Sequence, residues 1–294
     1  MAERIIEEAR SFALDCSVVL WKELVFDLTA DEARIRTKHG EDIRAYDIIW
    51  PRNIQASSYK KGRAKYLSLS RPDDLFVLLS QYCALHGIAV VNGDIVKVAP
   101  YTNKLCQYFR LIENKLPVIP SLLYSGEKAD VPMYSYFKFP YIAKGTYGSK
   151  GRNVFLVRNR EEIKALIKRF GFGKVLIQKY LPASWDYRVI VVGGRVLGVM
   201  KRTGRKGGFK NNFSAGASVS SVEAPKEVHI LASKAAAVFN ADFAGVDILE
   251  FEGAHYILEV NFFAGFEGFE KATGLNVPRT VFNFLLRSPN ALAR

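Results

Sequence analysis

The carboxylates near the C-terminal end of the chain form its clearest chemical pattern. Asp247 lies in one strand of a predicted hairpin, and Glu259 and Asn261 lie two residues apart in the other. Because side chains alternate along a strand, Glu259 and Asn261 share a face, and Asp247 falls opposite or next to Glu259. Such oxygen ligands suit Mg²⁺. A polar outer face would show the same residues, but neighbouring like charges repel unless a cation compensates them, which favours a metal site.

A glycine-rich turn between two predicted strands forms a second pattern. Lys144 ends the first strand, and the segment YGSKGR follows at residues 147–152, with Gly148, Ser149 and Gly151. Closely spaced glycines let backbone N–H groups approach phosphate oxygens, and flanking lysines neutralise the phosphate charge. A glycine hairpin with solvated lysines is the alternative. The spacing excludes a Walker A loop.

Two further polar groups precede the carboxylates. Asp186 and Arg188 share a face at the start of one predicted strand, and Lys201 and Arg202 end the next. An exposed ladder of ion pairs is the simpler interpretation of these residue types. A basic, glycine-containing loop follows over 201–210, which suits closure over phosphates or over an acidic chain, although a solvated loop is equally consistent. His255, at the predicted hairpin turn, is expected to be solvated.

Composition limits the class of protein. The 294 residues include 42 Lys and Arg against 29 Asp and Glu, which gives a net charge of +13, and 49% are hydrophobic. This balance predicts a soluble, globular chain and excludes disorder and collagen-like repetition. The charge favours an anionic partner: nucleic acid, nucleotide phosphate or an acidic polypeptide. Neither a membrane span nor a signal peptide is indicated, so we expect a cytoplasmic protein with no membrane partner.

The elements that must position these residues follow an α/β plan. In the first third, a helix over 75–86 leads through Gly87 into a strand over 88–91, as in a parallel α/β unit. Two prolines then indicate an extended linker over 116–120, and a domain boundary falls near residue 100. Antiparallel strand pairs follow, and further helices are predicted over 160–170, 225–239 and 277–286.

These segments together resemble the ATP-grasp superfamily, and within it the RimK-like amino-acid ligases. The matching segments are, in chain order, YDIIWPRN at 46–53, VN at 91–92, NKL at 103–105, YIAKGTYGSKGRNV, LIQKYL, DYRV, KR at 201–202, GVDIL, LEVN and GFEGFEKATG. Their common order is highly specific and covers nearly the whole chain. The resemblance implies an α/β fold with an N-terminal parallel domain over 1–100, a small antiparallel ATP-grasp lobe over 101–181 and a large lobe with the metal site over 182–294.

The resemblance also implies an ATP site. Lys104 and Lys144 would hold the α and β phosphates, and Lys201 would contribute further positive charge there. A glycine-rich loop would cover the β and γ phosphates with Gly148, Ser149 and Gly151. A hinge would bind adenine through the backbone groups of Gln178, Lys179 and Leu181, although the family usually has Glu at position 179. Asp186 would bind ribose.

The same resemblance implies the reacting end of the site. Two Mg²⁺ ions, with Mn²⁺ as a substitute, would be bound by Asp247, Glu259 and Asn261. Three residues would face the transferred phosphate and the substrate: Arg188, Arg202 and Asn212. In the segment FKNNFSAGA at 209–217, Ser214 and Ala215 replace a histidine and an arginine of the family pattern. This loss of a cation bears on the acceptor more than on ATP.

The implied activity is that of an ATP-dependent carboxylate–amine ligase. It would add glutamate or another amino acid to a peptide, a protein or a small carboxylated acceptor through an acyl phosphate, releasing ADP and phosphate. The excess of basic residues at 59–65 and 205–210 suggests an acidic acceptor. The family often forms dimers or tetramers, and the oligomeric state is left open. Two alternatives remain: a nucleic-acid-binding protein that uses the basic and aromatic patch over 59–66, which the short patch disfavours, and another ATP-grasp ligase such as a dipeptide ligase.

Overall fold

The protein is represented by a computed structural model that describes residues 1–28, 33–52, 72–98, 100–123, 137–148, 153–171, 173–204 and 217–287. The described elements of the first 100 residues are α1 (Ala2–Ser11), β1 (Leu24–Leu28), β2 (Ala33–Thr37), β3 (Ile48–Ile49), α2 (Pro72–Leu85) and β4 (Ala89–Val90). Short 3-10 helices occupy Trp21–Glu23, Ile43–Ala45 and Gly93–Val98.

Parallel pairing in this region is confined, among the described residues, to two short strands. β3 and β4 pair in parallel, with Ile48 opposite Ala89 and Ile49 opposite Val90. β1 and β2 form a separate antiparallel pair, which the sequence patterns did not indicate. The connection between β1 and β2 spans only residues 29–32, and so short a segment can join antiparallel strands but not parallel ones.

A four-stranded antiparallel sheet forms the next layer. Its order is β5-β8-β6-β7. Its elements, with the helix that precedes it, are α3 (Lys104–Glu113), β5 (Ser121–Leu123), β6 (Tyr141–Gly145), β7 (Val154–Val157), α4 (Arg160–Phe170) and β8 (Val175–Lys179). The predicted bounds of α4 are confirmed. The helix begins after Asn159, whose side chain accepts a hydrogen bond from Glu162 N at 2.9 Å, and Ile163 and Ile167 pack on the sheet.

A five-stranded antiparallel sheet forms the largest layer. Its order is β11-β10-β9-β12-β13. The elements are β9 (Trp185–Val192), β10 (Arg195–Thr203), β11 (Ser218–Ser221), α5 (Lys226–Ala237), β12 (Phe243–Phe251), β13 (Ala254–Asn261), α6 (Glu267–Thr273) and α7 (Val277–Arg287). The two predicted hairpins, β9–β10 and β12–β13, are confirmed.

The two faces of the large sheet are covered by different helices because side chains alternate along each strand. On one face, Val246 and Ile248 of β12 pack in a cluster with Val228 and Leu231 of α5. The other face packs on α1, α6 and α7, whose contributions include Ile5, Phe269 and Val281. Phe76 of α2 and Leu111 of α3 join the first cluster, so elements on both sides of residue 100 share its core. The three domain ranges stay a prediction.

None of the helices in the described part of the chain is long and apolar enough to cross a bilayer.

A buried carboxylate links the first helix to the last. Glu8 of α1 is 4% exposed and accepts hydrogen bonds from Asn276 Nδ2 at 2.7 Å, Arg279 Nε at 2.5 Å and Arg4 Nη1 at 3.1 Å. Burial opposes ionisation of Glu8, but these hydrogen bonds outweigh it and lower its pKa to about 2. The ionised Glu8 therefore stabilises the contact between α1 and α7.

We expect Glu8→Gln to lower the free energy of unfolding at pH 7 by about 1–3 kcal/mol, because charge-assisted hydrogen bonds are lost in a buried setting. A carboxylate whose pKa is lowered in the fold stabilises it above the unfolded pKa, and this contribution disappears as the pH falls toward about 2. Urea denaturation of the wild type and the variant should therefore give curves that converge between pH 5 and pH 2, roughly. Glu7→Gln, at an exposed neighbour, is the control, and a pH-independent difference would contradict the assignment.

Candidate active site

The predicted carboxylate pair is formed at the start of the last hairpin. β12 and β13 pair so that Asp247 lies opposite Glu259 and Gly245 lies opposite Asn261, as the strand pattern predicts. The register then shifts, because Ile248 pairs with Ile257 and leaves Leu258 as an extra residue in β13. Such a bulge bends its strand and redirects the neighbouring side chains. The bulge thus lies directly beside Glu259.

Helix α3 holds the outer edge of β13. The Gln107 side chain bonds both backbone groups of Val260, donating to its O at 3.0 Å and accepting from its N at 3.2 Å. Tyr108 OH donates to the carbonyl of Leu258, the extra residue of the bulge, at 2.9 Å. These bonds add to a parallel bridge between Val118 and Ile257, in which Ile257 N donates to Pro117 O at 2.8 Å, and together they satisfy the outer edge of β13. Sequence reasoning missed Gln107 and Tyr108, and their only signal is their position one turn after the NKL segment.

Lys104 connects this helix to the site itself. Asn103 caps α3 by accepting hydrogen bonds from Leu105 N at 2.9 Å and Cys106 N at 3.3 Å. The cap sets Lys104 at the first position of the helix, and its Nζ donates to Glu259 Oε1 and to Gly148 O, each at 2.8 Å. The structure therefore brings together a predicted phosphate lysine, a predicted metal ligand and the glycine-rich turn.

Two aspartates and two arginines alternate across three strands of the large sheet. Asp247 of β12 forms a two-pronged ion pair with Arg188 of β9, in which Arg188 Nη2 lies 2.8 Å from Oδ2. Arg202 of β10 donates to Asp186 Oδ1 at 2.6 Å and also contacts Asp247 Oδ2 at 3.1 Å. The exposed fraction is 4% for Arg202 and 5% for Asp247. The exposed ladder that sequence reasoning allowed as the simpler interpretation is therefore wrong.

The two aspartates experience opposite pKa shifts. Burial raises the pKa of Asp186, because Arg202 and, to a smaller extent, Arg188 only partly offset the loss of hydration and the nearby charge of Asp247. Burial also opposes ionisation of Asp247, but Arg188 and Arg202 together outweigh it and lower the pKa of this carboxyl. Burial likewise disfavours the charge of Arg202, yet the two carboxylates raise its pKa. Asp247 is thus the carboxylate that stays ionised most firmly.

Lys144 lies on β6, in the smaller sheet, and points toward the same charges. Burial lowers its pKa to about 8, although Glu259, Asp247 and Asp186 act in the opposite direction. A lysine with so low a pKa needs only a nearby anion to become fully charged at neutral pH. Lys144 is therefore suited to receiving a phosphate.

The predicted adenine hinge lies at the end of β8. Gln178 is buried, and its Nε2 donates to Tyr108 OH at 2.9 Å and to Ser121 Oγ at 3.0 Å. The Lys179 side chain is exposed, while its backbone N donates to Pro120 O at 2.9 Å. Because Tyr108 also bonds the bulge of β13, the hinge and the carboxylate hairpin are connected through a single hydroxyl. Leu181 packs on Ile119 and Leu249.

Some predicted site residues are not brought into this cluster. Lys201 lies on the opposite face of β10 from Arg202, with its Nζ 4.1 Å from the centre of the Trp185 ring. Adjacent residues of a strand must point to opposite faces, which separates Lys201 from the aspartates. Ser149, Gly151 and Asn212 lie outside the described residues, as do Ser214, Ala215 and the basic segments over 59–66 and 205–210.

His255 is buried, so the expectation of a solvated histidine is wrong. Its Nδ1 lies 3.1 Å from Glu227 Oε2, near the N-terminus of α5. Glu227 at the start of that helix reaches His255, while residues 252–254 of the turn are exposed, and a single strand pattern cannot show which helix residue will approach it. His255 has no role in the candidate site.

The donor set at the hairpin fits a hard cation. No group of three or more His, Cys, Asp and Glu side chains is arranged to hold a metal in the described ranges. The candidate ligands are instead two carboxylates and one amide, since Asn261 Nδ2 lies 3.4 Å from Asp247 Oδ2. Flipping that amide would turn its oxygen toward the carboxylates, and all three groups would then offer oxygen, which Mg²⁺ prefers. The set fits Mg²⁺ completed by water or phosphate oxygens.

Comparison with known proteins identifies the family. The model of the RimK-like ATP-grasp domain matches residues 102–285. The chain belongs to the RimK-like ATP-grasp family. A protein of Aliivibrio fischeri (strain MJ11) named "Probable alpha-L-glutamate ligase" is 29% identical over 288 residues, covering 96% of this chain and 90% of that protein. A namesake from Psychromonas ingrahamii is 26% identical over 294 residues, covering 98% and 91%.

Solved structures share the fold. The ATP-grasp ligase PsnB, complexed with a phosphomimetic variant of a minimal precursor, Mg and ADP, superposes with a TM-score of 0.73 at 19% identity, covering 99% of this chain and 94% of that one. The macrocyclase MdnB of Microcystis aeruginosa MRC superposes with a TM-score of 0.70 at 15% identity, covering 97% and 95%. The predicted ATP-grasp fold is therefore confirmed. The predicted activity, that of an ATP-dependent carbon–nitrogen ligase that forms amide bonds, is confirmed at the level of the family.

Gly245 is the position in this site that can least accept a larger side chain. A Cβ added there would lie 2.7 Å from Ala264 Cβ and 3.0 Å from Arg188 Nη1. We expect Gly245→Ala to displace Arg188 from Asp247 and to lower the free energy of unfolding by about 1–3 kcal/mol through overpacking. Denaturant titration measures the change. Gly265→Ala is the control, because the nearest described atom to its Cβ would be Met1 Cε at 3.7 Å, an ordinary van der Waals contact. Equal stability of the two variants would contradict this account.

Proposed function

We propose that this RimK-like protein joins an amino acid, with glutamate as the first candidate, to a carboxylate-bearing acceptor by an ATP-dependent reaction that releases ADP and phosphate. The convergence of Lys104, Lys144 and Arg188 on the carboxylates Asp247 and Glu259 is the observation that carries the proposal. The names of the curated relatives support glutamate.

The nucleotide would lie between the two sheets. Lys104 and Lys144 would hold the α and β phosphates, with the turn at Gly148 closing over the β and γ phosphates. The hinge of Gln178, Lys179 and Leu181 would read adenine through backbone groups, so the exposed lysine side chain would not interfere. Asp186 would accept from the ribose hydroxyls. Lys104 is already held by Glu259, and Lys144 lies in the electrostatic field of Glu259, Asp247 and Asp186.

Asp247, Glu259 and Asn261 would hold Mg²⁺, which the fit of their oxygen ligands supports. Two ions are proposed, with Mn²⁺ as a substitute. Bound Mg²⁺ would neutralise the phosphate oxygens, a contribution that the four cations of the site cannot make alone because three carboxylates already balance most of their charge. The solved relative PsnB was obtained with Mg and ADP.

Arg188 and Arg202 would bind the transferred phosphoryl group and the acceptor carboxylate. Arg188 is held by Asp247, and Arg202 is held by both Asp186 and Asp247. Asn212 and Lys201 were expected to assist. Lys201 faces Trp185 on the opposite face of β10 from Arg202, so its position does not support this role. The pairing with buried aspartates pre-orients the arginines, which lowers the reorganisation required during the reaction.

The proposed reaction has two steps. A carboxylate oxygen of the acceptor attacks the γ-phosphorus, the bond to the β-phosphate oxygen breaks, and ADP leaves with an acyl phosphate formed. The amine nitrogen then attacks the acyl carbon, phosphate departs, and the amine gives up a proton, which leaves an amide. No protein nucleophile is required. The arginines and lysines act by bringing anions together and by stabilising the charge that builds on the phosphoryl oxygens.

A peptide is the acceptor class that the comparisons favour. Solved PsnB complexes contain a minimal precursor or a precursor peptide. An acidic acceptor would agree with the net charge of +13. The nucleic-acid-binding alternative has no support from the site, whose cations are paired with carboxylates, and the patch over 59–66 lies outside the described residues.

Product analysis tests the proposed reaction. With glutamate, a carboxylated peptide, ATP and Mg²⁺, we expect ADP and phosphate in equal amounts and a peptide heavier by one amino-acid residue in mass spectrometry. Lys144→Ala and Glu259→Ala should lower turnover by at least about 10²-fold, because each removes charge stabilisation in the phosphoryl transfer. Lys168→Ala, on the exposed side of α4, should leave it unchanged. AMP and pyrophosphate as products would exclude the acyl-phosphate route.

The lowered pKa of Lys144 predicts how ADP binding depends on pH. A bound phosphate favours the charged lysine, so ADP affinity should be constant below pH 8 and fall above it, as the free enzyme loses this proton near its pKa of about 8. Calorimetric titration in the absence of metal from pH 6.5 to pH 9.5, roughly, measures this. Lys144→Arg, which stays charged, should remove the decline. A flat wild-type profile would show that Lys144 does not contact the nucleotide.

A further inference from the structure

Asn92, which lies two residues after the end of β4, has an unusual conformation and an unusual set of partners. It is 1% exposed and adopts φ +64, in the left-handed region that asparagine tolerates better than most residues. Its side-chain amide accepts from Phe243 N at 2.9 Å and donates to Phe243 O at 2.8 Å and to Phe262 O at 2.7 Å. Its backbone N donates to Asp242 Oδ2 at 2.8 Å.

These partners lie just beyond the point at which the pairing between β12 and β13 ends. The β12–β13 ladder ends at the pair of Gly245 and Asn261. Phe262 lies one position and Phe243 two positions beyond that pair, where β12 and β13 are no longer paired, and the Asn92 amide bridges these two residues. Phe262 is bonded directly to Asn261, the third candidate metal ligand. Asn92 therefore fixes the end of β13 at the position from which Asn261 projects.

Arg52, which follows the β3 region, reinforces the same segment. Its Nη2 donates to Ala264 O at 2.5 Å, and its guanidinium lies 5.3–5.6 Å from the ring centres of Trp50, Phe243 and Phe266. Since β3 and β4 are parallel, their carboxyl ends deliver Arg52 and Asn92 to one edge. Both belong to segments of the family resemblance, YDIIWPRN and VN, that the ATP site itself does not use.

We propose that Asn92, assisted by Arg52, is a positioning residue for the metal site: it fixes the ends of β12 and β13 so that Asn261 stays aligned with Asp247 and Glu259. This inference rests on the proposed function, since it requires that the three side chains bind Mg²⁺. Mutation of a residue that orients a metal ligand without contacting the metal commonly lowers metal affinity by about 10–100-fold. The N-terminal segment would thereby control metal binding without contacting the metal.

Two variants separate the effect of the Asn92 side-chain amide from that of the backbone conformation at this position. Asn92→Gly keeps access to positive φ and removes all three side-chain bonds. Asn92→Asp keeps the shape but turns an oxygen toward the carbonyls of Phe243 and Phe262, which is repulsive. Glu8→Gln is the matched control, because it weakens a buried contact between α1 and α7 whose hydrogen bonds involve no residue of β12 or β13. Circular dichroism at the assay temperature confirms that each variant is folded.

Binding of Mn²⁺ in the presence of ADP, followed by electron paramagnetic resonance, reports the metal site without turnover. We expect the Mn²⁺ affinity to fall by about tenfold in Asn92→Gly and further in Asn92→Asp, and to be unchanged in Glu8→Gln. ADP affinity without metal should be unchanged in all three, because Lys104, Lys144 and the hinge are not affected.

The outcomes separate this inference from the proposed function. Wild-type Mn²⁺ affinity in Asn92→Gly, or an equal loss in Glu8→Gln, would overturn the positioning role while leaving the ligase proposal intact. A wild-type protein that binds ADP but shows no ADP-dependent Mn²⁺ binding would overturn the proposed metal site and this inference together.

Discussion

Charge buried at the end of the large sheet is the constraint on which the site depends. Asp186, Arg188, Arg202 and Asp247 have lost most of their hydration, and an unpaired charge in that environment would be strongly destabilising. Pairing is achieved only because β10, β9 and β12 are neighbours in this order, with Arg202 opposite Asp186 and Arg188 opposite Asp247. A slip of one residue in either register would move these groups to the face that packs on α5. The ion pairs therefore specify the register as much as the apolar core does.

The same pairing explains how the site can be ordered before a ligand binds. The candidate metal ligands are held by cations of the protein: Asp247 by Arg188 and Arg202, and Glu259 by Lys104. A divalent ion and a phosphate arriving together bring charges of both signs. In the proposed function, the carboxylates would then turn to the metal while the arginines and lysines would turn to the phosphate. Such an exchange of partners would require side-chain movements within the same register of the sheet.

What the sequence could predict is divided between local and long-range features. The bounds of α4, the two hairpins and the opposition of Asp247 and Glu259 follow from capping, turn glycines and strand alternation, all of which act within a few residues. The bulge at Leu258 could not be predicted, because it is stabilised by Tyr108, 150 residues away. The burial of His255 depends on α5, and the ion pair between Arg188 and Asp247 depends on strand order, so both are tertiary. For Lys201 the local pattern was the better guide. Side-chain alternation along the strand predicts that Lys201 and Arg202 lie on opposite faces, whereas the family resemblance implied that both belong to the ATP site.

The connections of β13 suggest how the separate parts of the chain act as one enzyme. Along its outer edge, α3 bonds Leu258, Glu259 and Val260, and at its end Asn92 bonds Phe262. Tyr108 extends these connections to Gln178 in the smaller sheet, so the candidate hinge and the carboxylate hairpin share one hydroxyl group. A hydrogen-bonded Tyr108, whose pKa burial raises to about 12, stays protonated and can donate to Leu258 at any physiological pH. The hairpin that carries the carboxylates is therefore fixed by residues far from it in sequence. For this reason its geometry is a property of the assembled fold rather than of the LEVN segment.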